Sequence, residues 1–539
     1  MKKLKDSLQK PIVILSLAFV FHILGSPKWT MPLGPWVGAV LFLYYSRKVS
    51  YKHLFLVGSV FMFITTFIGA YEVVPAPLPI FVVIALINGF KQLIPYLLDK
   101  WIGAKSKRFS GTLIFPAVFV TVEFLDSFGG GGTWGSISHT QYSWLPLVQI
   151  ASVFGIWGIS FLIYWFASLI NWAMDCKFRW PIIRLGFLTS ISLYLAVLVF
   201  GIIRTLSGTN YSESKVRVAT ITMDNTNIIE KCYQDTFGKK INLEPELSQT
   251  SQEIVEASSA LPHFISDPYR DKYTKTREIM EENIDELFRR SQEEADQGAK
   301  IISWSEALGL ILNDDENRII KRAEDFSKEN DVYLIMGLGV INPGPMDGQH
   351  LYMLNKTITT SPQGVVINSY LKSNPVAFAE PEYGSDDIIP VISTVYGDIS
   401  SVICYDADFN HFMKQTGDKN TDLLFVPSGD WMAIAPYHSF MAVMRGIENG
   451  CSVIRPANRG TSIVSNPYGV IIEQRYFFDE DGEVLSALVP TKGINTIYNQ
   501  IGDVLAYTCM VIAIWSLANT LYQRLKPRLS SIKEIRKVV

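Results

Sequence analysis

The chain has 539 residues, of which 48% are hydrophobic and only 18% charged, with a formal net charge of −3. Soluble domains carry about 25% charged residues, so this balance excludes a wholly soluble protein, and it excludes disorder. The near-neutral charge supplies no basic field for nucleic acid. Five scattered cysteines (Cys176, Cys232, Cys404, Cys451 and Cys509) fit neither a disulfide framework nor a zinc ribbon.

Apolar runs fall at 11–25, 36–46, 54–71, 79–98, 112–127, 147–171 and 184–203, with an eighth at 503–522. A spanning helix needs about 20 such residues. Lysines precede the first run as in a signal peptide, but no small-residue cleavage site follows, so an uncleaved first span is expected. With the N-terminus in the cytoplasm and alternating spans, the inner segments hold Lys2, Lys3, Lys5, Lys10, Arg47, Lys48, Lys52, Lys100, Lys105, Lys107, Arg108, Lys177, Arg179, Arg184 and six residues after Tyr522. That is twenty basic residues inside, against Lys28 alone in the short outer loops. The positive-inside rule predicts this asymmetry. It gives a transmembrane domain of about seven helices at 1–209, an extracytoplasmic domain at 210–498, a final span at 499–522 and a basic cytoplasmic tail at 523–539 beside the anionic inner leaflet.

Two features mark the membrane part. The run Gly129-Gly130-Gly131-Gly132-Thr133-Trp134-Gly135 reads either as a connector, anchored at the interface by Trp134, Tyr142 and Trp144, or as a mobile passage for a lipid tail toward a site above the bilayer. Glu123 lies inside an apolar run, where a carboxylate is costly and is by default a candidate for function, or else a structural group near the interface.

From Asn210 the composition becomes that of an ordinary globular domain. Val216 to Thr222 alternates as a strand, and residues 223–270 read as a long polar insertion or loop. Helical spacing covers Tyr273 to Gln297 and Asn317 to Asn330. Strands are expected at 299–304, 332–338, 351–359, 364–371, 390–396 and 399–404. Leu423 to Val426 and Ser452 to Arg455 read as further strands, with a helix at Ser439 to Asn449 between them. The pattern suggests sheets covered by helices.

Chemistry gathers at three strand ends. Cys404 follows the apolar strand Ser400-Ser401-Val402-Ile403 and precedes a turn and an expected helix over Ala407 to Lys414. A cysteine so placed is held rigidly, with the next backbone N–H able to donate to an oxyanion, or it is a small buried hydrophobe. Glu306, in Trp304-Ser305-Glu306, is either a general base or a helix-capping or salt-bridging carboxylate. Lys372, in Tyr370-Leu371-Lys372, either supplies positive charge to a tetrahedral intermediate or is a solvated surface lysine. Asp406, Asp408 and His411 lack a fourth ligand at zinc spacing, and no metal or cofactor is expected.

The order Glu306–Lys372–Cys404, each at a strand end, resembles the nitrilase superfamily, whose Glu-Lys-Cys triad sits on an α-β-β-α sandwich. Glu380, eight residues after Lys372, resembles the supporting glutamate of apolipoprotein N-acyltransferases. Ser428, Asp430-Trp431, His438, Met441-Ala442, Arg445, Glu448, Arg455 and Asn458 are similar to that family's downstream pattern. Glu123, Gly135, Pro146-Leu147, Gln149, Gly155, Gly158 and Phe161-Leu162 are similar to its central spans. Asp406 stands where the family usually has glutamate, Ser428-Gly429-Asp430-Trp431 is a shortened form of its Ser-Asn-Asp-x-Trp, and Thr222-Met223-Asp224-Asn225 replaces its Gln-Gly-Asn.

The resemblance implies a multi-span helical membrane domain plus a nitrilase-like α-β-β-α sandwich outside the cytoplasm, in a bacterial inner membrane. It implies transfer of an acyl chain from a phospholipid to the N-terminal amine of a diacylglyceryl-cysteine lipoprotein through a Cys404 thioester. Glu306, Lys372 and Cys404 are then catalytic, Glu380, Tyr405 and Asp406 supporting or oxyanion groups, and Trp431, His438 and Glu123 substrate-binding. Phe378 to Glu382 and Trp431 to Pro436 are expected lids, and a monomer is expected. The other reading is a membrane-tethered nitrilase-type amidase or hydrolase, in which water resolves the thioester.

Overall fold

The computed structural model describes residues 11–102, 108–211, 214–244, 246–247, 251–345, 350–376, 380–480 and 482–538, with side chains as far as 526. Lys2, Lys3, Lys5, Lys10, Lys105 and Lys107, Phe378 and Ala379 of the expected lid, and the tail side chains beyond Lys526 lie outside the described residues. Two compact units result: Met1–Tyr71, Leu78–Gly201 and Ile501–Val539 form one, and Glu72–Pro77 with Ile202–Gln500 the other.

The first unit is helical. Among the described residues six helices are long and apolar enough to cross a membrane: Tyr51–Ala70, Leu78–Ile102, Phe109–Asp126, Ile156–Asp175, Trp180–Thr209 and Val504–Lys526. The first two apolar runs fold as helices, Pro11–Leu24 and Leu33–Lys48, with 14 and 16 residues among those described. The run at 147–171 is three helices rather than one. Leu145–Val148 ends at Gln149, Ala151–Phe154 stops at Gly155, whose φ of 64° suits glycine, and Ile156–Asp175 starts afresh. Arg47 clamps the buried Asp99 with two hydrogen bonds of 2.9 Å. The glycine-rich loop divides in two. Gly129, Gly130 and Gly131 are exposed, whereas Ile137–Gln141 is a buried turn, with Ser138 donating to Ile156 O at 2.6 Å and Trp36 Nε1 to Gln141 Oε1 at 3.0 Å. Glu123 Oε1 accepts from Ile137 N at 3.1 Å, which ties the carboxylate to the start of that turn.

Among the described residues the second unit carries fifteen strands: β1 Lys215–Ile221, β2 Ile301–Trp304, β3 Gly309–Leu312, β4 Tyr333–Ile341, β5 Met353–Thr360, β6 Val366–Leu371, β7 Ile392–Thr394, β8 Gly397–Ser401, β9 Leu423–Phe425, β10 Ser428–Gly429, β11 Ser452–Arg455, β12 Ala457–Asn458, β13 Thr461–Ser465, β14 Ile471–Tyr476 and β15 Val484–Pro490. One sheet runs β15-β1-β2-β4-β5-β6, with β3 also on β4. The other runs β14-β13-β11-β9-β8-β7, and β10 pairs with β12.

Period-two alternation builds the layers. Val216, Val218, Ile301, Tyr333 and Ile335 of the first sheet share one core with Ile399, Leu423, Phe425, Ile454 and Val464 of the second. Their neighbours one residue on face outward. Ala219, Ile302, Trp304, Leu334 and Met336 pack on Ile284, Leu287 and Phe288 of the helix Thr274–Asp296 and on Ile319, Ala323 and Phe326 of the helix Glu316–Asn330. On the far side Leu424 and Val453 pack on Phe412, Met413 and Ala442 from the helices Asn410–Asp418 and Tyr437–Asn449. The unit is an α-β-β-α sandwich.

Residues 223–270, read from sequence as loop, contain the helices Thr226–Phe237, Gln252–Ser258 and Leu261–Ser266. Each is too short for a clear period. They share small cores instead, one joining Ile228, Cys232 and Tyr233 to Phe264 and Ile265, another joining Leu243 to Ile254 and Ala257.

Ile335→Ala empties a fully buried position between the sheets and is expected to cost about 2–5 kcal/mol. Val395→Ala, at a position 82% exposed, is expected to stay within about 0.5 kcal/mol. Thermal unfolding of the full chain in detergent checks both.

Candidate active site

Glu306 follows β2. Ser305 N continues the ladder by donating to Ile221 O at 3.0 Å, and the chain then turns through Ala307 at φ 48°. Gly337 on β4 lies directly beneath, where a Cβ would come within 2.0 Å of Ser305 O, so only glycine lets the turn sit there. Lys372 is the first residue after β6, held by its N–H to Asn355 O at 3.0 Å. Cys404 opens a 3₁₀ turn, Cys404–Asp408, at φ 46°, with its N–H on Pro427 O at 2.9 Å. The expected helix over 407–414 starts at Asn410 instead, because this turn intervenes.

The four side chains converge. Lys372 Nζ donates to Glu306 Oε1 at 2.7 Å and to Glu380 Oε2 at 2.6 Å, and the lysine is buried. Asn355 Nδ2, from β5, bridges the same two carboxylates at 2.7 and 3.0 Å. Glu380 also accepts from Val376 N at 2.7 Å and Tyr383 OH at 3.2 Å. Glu306 Oε2 accepts from Gly429 N at 2.7 Å, while the Cys404 thiol points at Gly429 O, 3.9 Å away. Gly429 therefore meets the carboxylate with its N–H and the thiol with its carbonyl.

Asp406 braces the cysteine turn. Its Oδ1 accepts from Ser373 N, Asn374 N and Asn374 Nδ2 at 3.1, 2.7 and 3.1 Å, and its Oδ2 from Tyr370 OH and Ile403 N at 2.7 and 2.9 Å. Its own N–H donates to Ile403 O at 2.9 Å, so the residue ties the cysteine turn to the end of β6. Burial raises its pKa to about 6 despite these donors.

Burial, and then the Glu306 carboxylate, push the Cys404 thiol well above the usual cysteine range, with Lys372 acting the other way. Burial opposes the Lys372 charge, but Glu306 and Glu380 hold its pKa well above that of a free lysine. Burial likewise opposes the Glu380 charge, and Lys372 brings that carboxyl below its ordinary value. The resting site thus holds a protonated thiol beside a buried ammonium shared by two carboxylates.

The remaining sequence candidates make other contacts. Trp431 donates through Nε1 to Glu72 O at 2.8 Å, and Tyr405 packs edge-on to Phe409. Glu123 belongs to the helical unit. His438 is buried between two aspartates, its Nδ1 2.9 Å from Asp430 Oδ1 and its Nε2 3.1 Å from Asp408 Oδ2. Donor atoms of Cys404, Asp430 and His438 lie within 4.8 Å of one another. Arg455 donates to both Asp430 oxygens and both His438 nitrogens face carboxylates, so the trio forms an ion-pair network rather than an open ligand set. Asn355, Gly429 and Tyr383 escaped the sequence reading. The one available signal was Asn355, an asparagine inside a run otherwise suited to a strand.

A sandwich with these groups at its strand ends is the architecture of the carbon–nitrogen hydrolases, and that family matches residues 254–503. The apolipoprotein N-acyltransferase N-terminal domain matches residues 18–169. The chain belongs to the apolipoprotein N-acyltransferase family. It is 24% identical over 453 residues to the apolipoprotein N-acyltransferase of Geobacter metallireducens, spanning 79% of this chain and 78% of that protein. It is 21% identical over 539 residues to apolipoprotein N-acyltransferase 1 of Treponema denticola, spanning 94% and 95%. Among solved structures, an amidase from Nesterenkonia sp. is similar, with 15% identity over 55% of this chain and 97% of its own, at a TM-score of 0.36.

Asn355→Ala strips one donor from each carboxylate. It is expected to lower activity by the worth of a charge-assisted hydrogen bond, about 1.5–3 kcal/mol, or roughly tenfold to a hundredfold in rate. Steady-state kinetics in detergent reads it. A second expectation concerns pH. Burial opposes protonation of His438, but Asp408 and then Asp430 outweigh it and raise its pKa from 6.5 to about 9. The folded chain therefore binds this proton more tightly than the unfolded one. The stabilisation is complete below pH 6.5 and is lost as pH rises through about 9. The Tm of the wild type is expected to fall more steeply across that window than that of His438→Gln.

Proposed function

We propose that this bacterial membrane protein N-acylates lipoproteins, taking the acyl chain from a phospholipid and passing it to the α-amine of a diacylglyceryl-cysteine through a thioester on Cys404. The observation that carries the reading is the convergence of Glu306, Lys372 and Glu380 beside the Cys404 thiol, in a chain of this family with six apolar helices.

In this mechanism a Glu306 oxygen takes the Cys404 thiol proton as sulfur attacks the ester carbonyl carbon. The carbonyl electrons move onto oxygen, and the Lys372 ammonium and the Tyr405 N–H stabilise that oxyanion. Collapse breaks the carbon–oxygen bond, and Glu306 returns the proton to the departing lysophospholipid. The free α-amine then attacks the thioester carbonyl, Glu306 accepts a proton from nitrogen, and collapse releases the amide and the Cys404 sulfur, which regains its proton. A thioester suits the second step because an amine attacks it more readily than an oxygen ester.

Catalysis on the outer face of the inner membrane is supported by the charge distribution: twenty lysines and arginines in alternate segments against Lys28 in the others. Trp431 and Glu123 remain candidates for substrate contact in this reading.

Mass spectrometry of the purified chain incubated with phospholipid tests the chemistry. The peptide carrying Cys404 is expected to gain one acyl chain in the wild type and none in Cys404→Ala, with Glu306→Gln strongly slowed. Adding a diacylglyceryl lipopeptide is expected to discharge the acyl group as an N-acylated product. Free fatty acid with no acylated lipopeptide would assign the site to a hydrolase instead.

A further inference from the structure

The inner face of the first sheet carries more than the cluster around Lys372. Along β5 and β6, Thr357 pairs with Tyr370, and the next pair, Lys356 with Leu371, faces the other way. Period two returns Asn355 to the face of Thr357, and Lys372 to the face of Tyr370. All four are buried, at 3% exposure or less, whereas Lys356 and Leu371 are partly exposed. Lys372 N donates to Asn355 O at 3.0 Å and closes the ladder. Two rungs therefore face the second sheet. Asn355 with Lys372 holds Glu306 and Glu380. Thr357 with Tyr370 stands directly behind.

That second rung reaches across to the other sheet on either side of Cys404. Tyr370 OH donates to Asp406 Oδ2 at 2.7 Å, two residues after the cysteine. Thr357 Oγ1 accepts from Ser401 Oγ at 3.3 Å, three residues before the cysteine and the last of β8. The Tyr370 ring packs in one core with Val402, Ile403 and Cys404. Asp406 also accepts from Ser373 N, Asn374 N and Asn374 Nδ2, but those residues lie past the last ladder bond of β6. Tyr370 and Thr357 are held within the ladder itself, so their hydroxyls carry the position of the strand. Sliding one sheet over the other breaks these bonds and leaves orphaned polar groups in a dry core, which is costly.

We propose that Tyr370, aided by Thr357, is a positioning residue: its phenol pins the cysteine turn of one sheet to the strand of the other that ends at Lys372, and so holds the Cys404 thiol beside the ammonium. Tyr370 and Lys372 are two residues apart on one side, Cys404 and Asp406 two apart on the other. The bond between Tyr370 and Asp406 thus sets the spacing of the pair in front of it. This rests on the reading of Cys404 as the nucleophile and goes beyond it, to the residue that keeps sulfur and ammonium together.

The test is the rate of Cys404 alkylation by iodoacetamide as a function of pH, in the full chain in detergent, read by mass spectrometry on the peptide carrying that residue. The charged groups facing the thiol are Glu306, Lys372, Asp430 and Arg455, and of these Lys372 does most to favour the thiolate. Tyr370→Phe keeps the ring and removes the pin. Its curve is expected to move up by about one pH unit, so that below the midpoint the reaction runs roughly tenfold slower. Thr357→Val is expected to shift the curve the same way, and Thr357→Ser, which keeps the hydroxyl, to match the wild type. Ile284→Ala, in the core on the helix side of the first sheet, is the control: its Tm is expected to fall while its curve stays in place. Loosening that merely opens the site speeds alkylation at every pH without moving the midpoint. That result in Tyr370→Phe overturns the proposal, as does an equal shift in Ile284→Ala. Should Tyr370→Phe fail to fold, an unmoved curve in Thr357→Val overturns it. Alkylation needs no substrate. A wild type that forms no acyl-enzyme, while Tyr370→Phe shows the shift, sinks the functional reading and leaves this one standing; an acyl-enzyme in the wild type with an unmoved curve in Tyr370→Phe does the reverse.

Discussion

One buried ammonium organises the catalytic unit. Lys372 sits between the carboxylates of Glu306 and Glu380, closed off from water. Two carboxylates brought to one lysine and one asparagine amide repel each other unless the cation remains between them. The lysine in turn cannot stay charged in such a place without them. Each member is thus conditional on the others, and the chain must deliver all of them from separate strand ends at once. The β2 turn, the residue after β6 and Glu380 itself are fixed by that requirement.

Cys404 reaches the cluster from the opposite sheet. Cys404 leaves β8 in a left-handed turn that would be costly without support. Asp406 supplies the support, filling both its oxygens with donors from the turn and from the end of β6. Gly429 adds a shared reference point, because base and thiol are both measured from one residue.

Glu306, Lys372 and Cys404 were legible in the sequence as residues that close apolar runs, and alternation gave most strands. The groups that tune them were not. Asn355 lies inside a strand, and Gly429 contributes only its backbone, which no side-chain pattern betrays. For His438, nothing in a linear chain shows that Asp408 and Asp430 close over it from two directions. In the helical unit one long apolar run proved to be three helices, broken after Val148 and again at Gly155, and hydropathy is blind to the φ that marks the second break. The segment 223–270 hid its helices because each turn of apolar residues pairs with a different short partner rather than with one long face.

The chemistry is divided between two leaves of a sandwich: acid and ammonium hang from one, sulfur from the other. Catalytic geometry tolerates about 0.5 Å of misplacement. Slippage of one leaf over its neighbour by even that much would uncouple the reaction while leaving every strand intact. Turnover is therefore a strain gauge for the stacking, and gentle warming should silence the enzyme well before the polypeptide unravels.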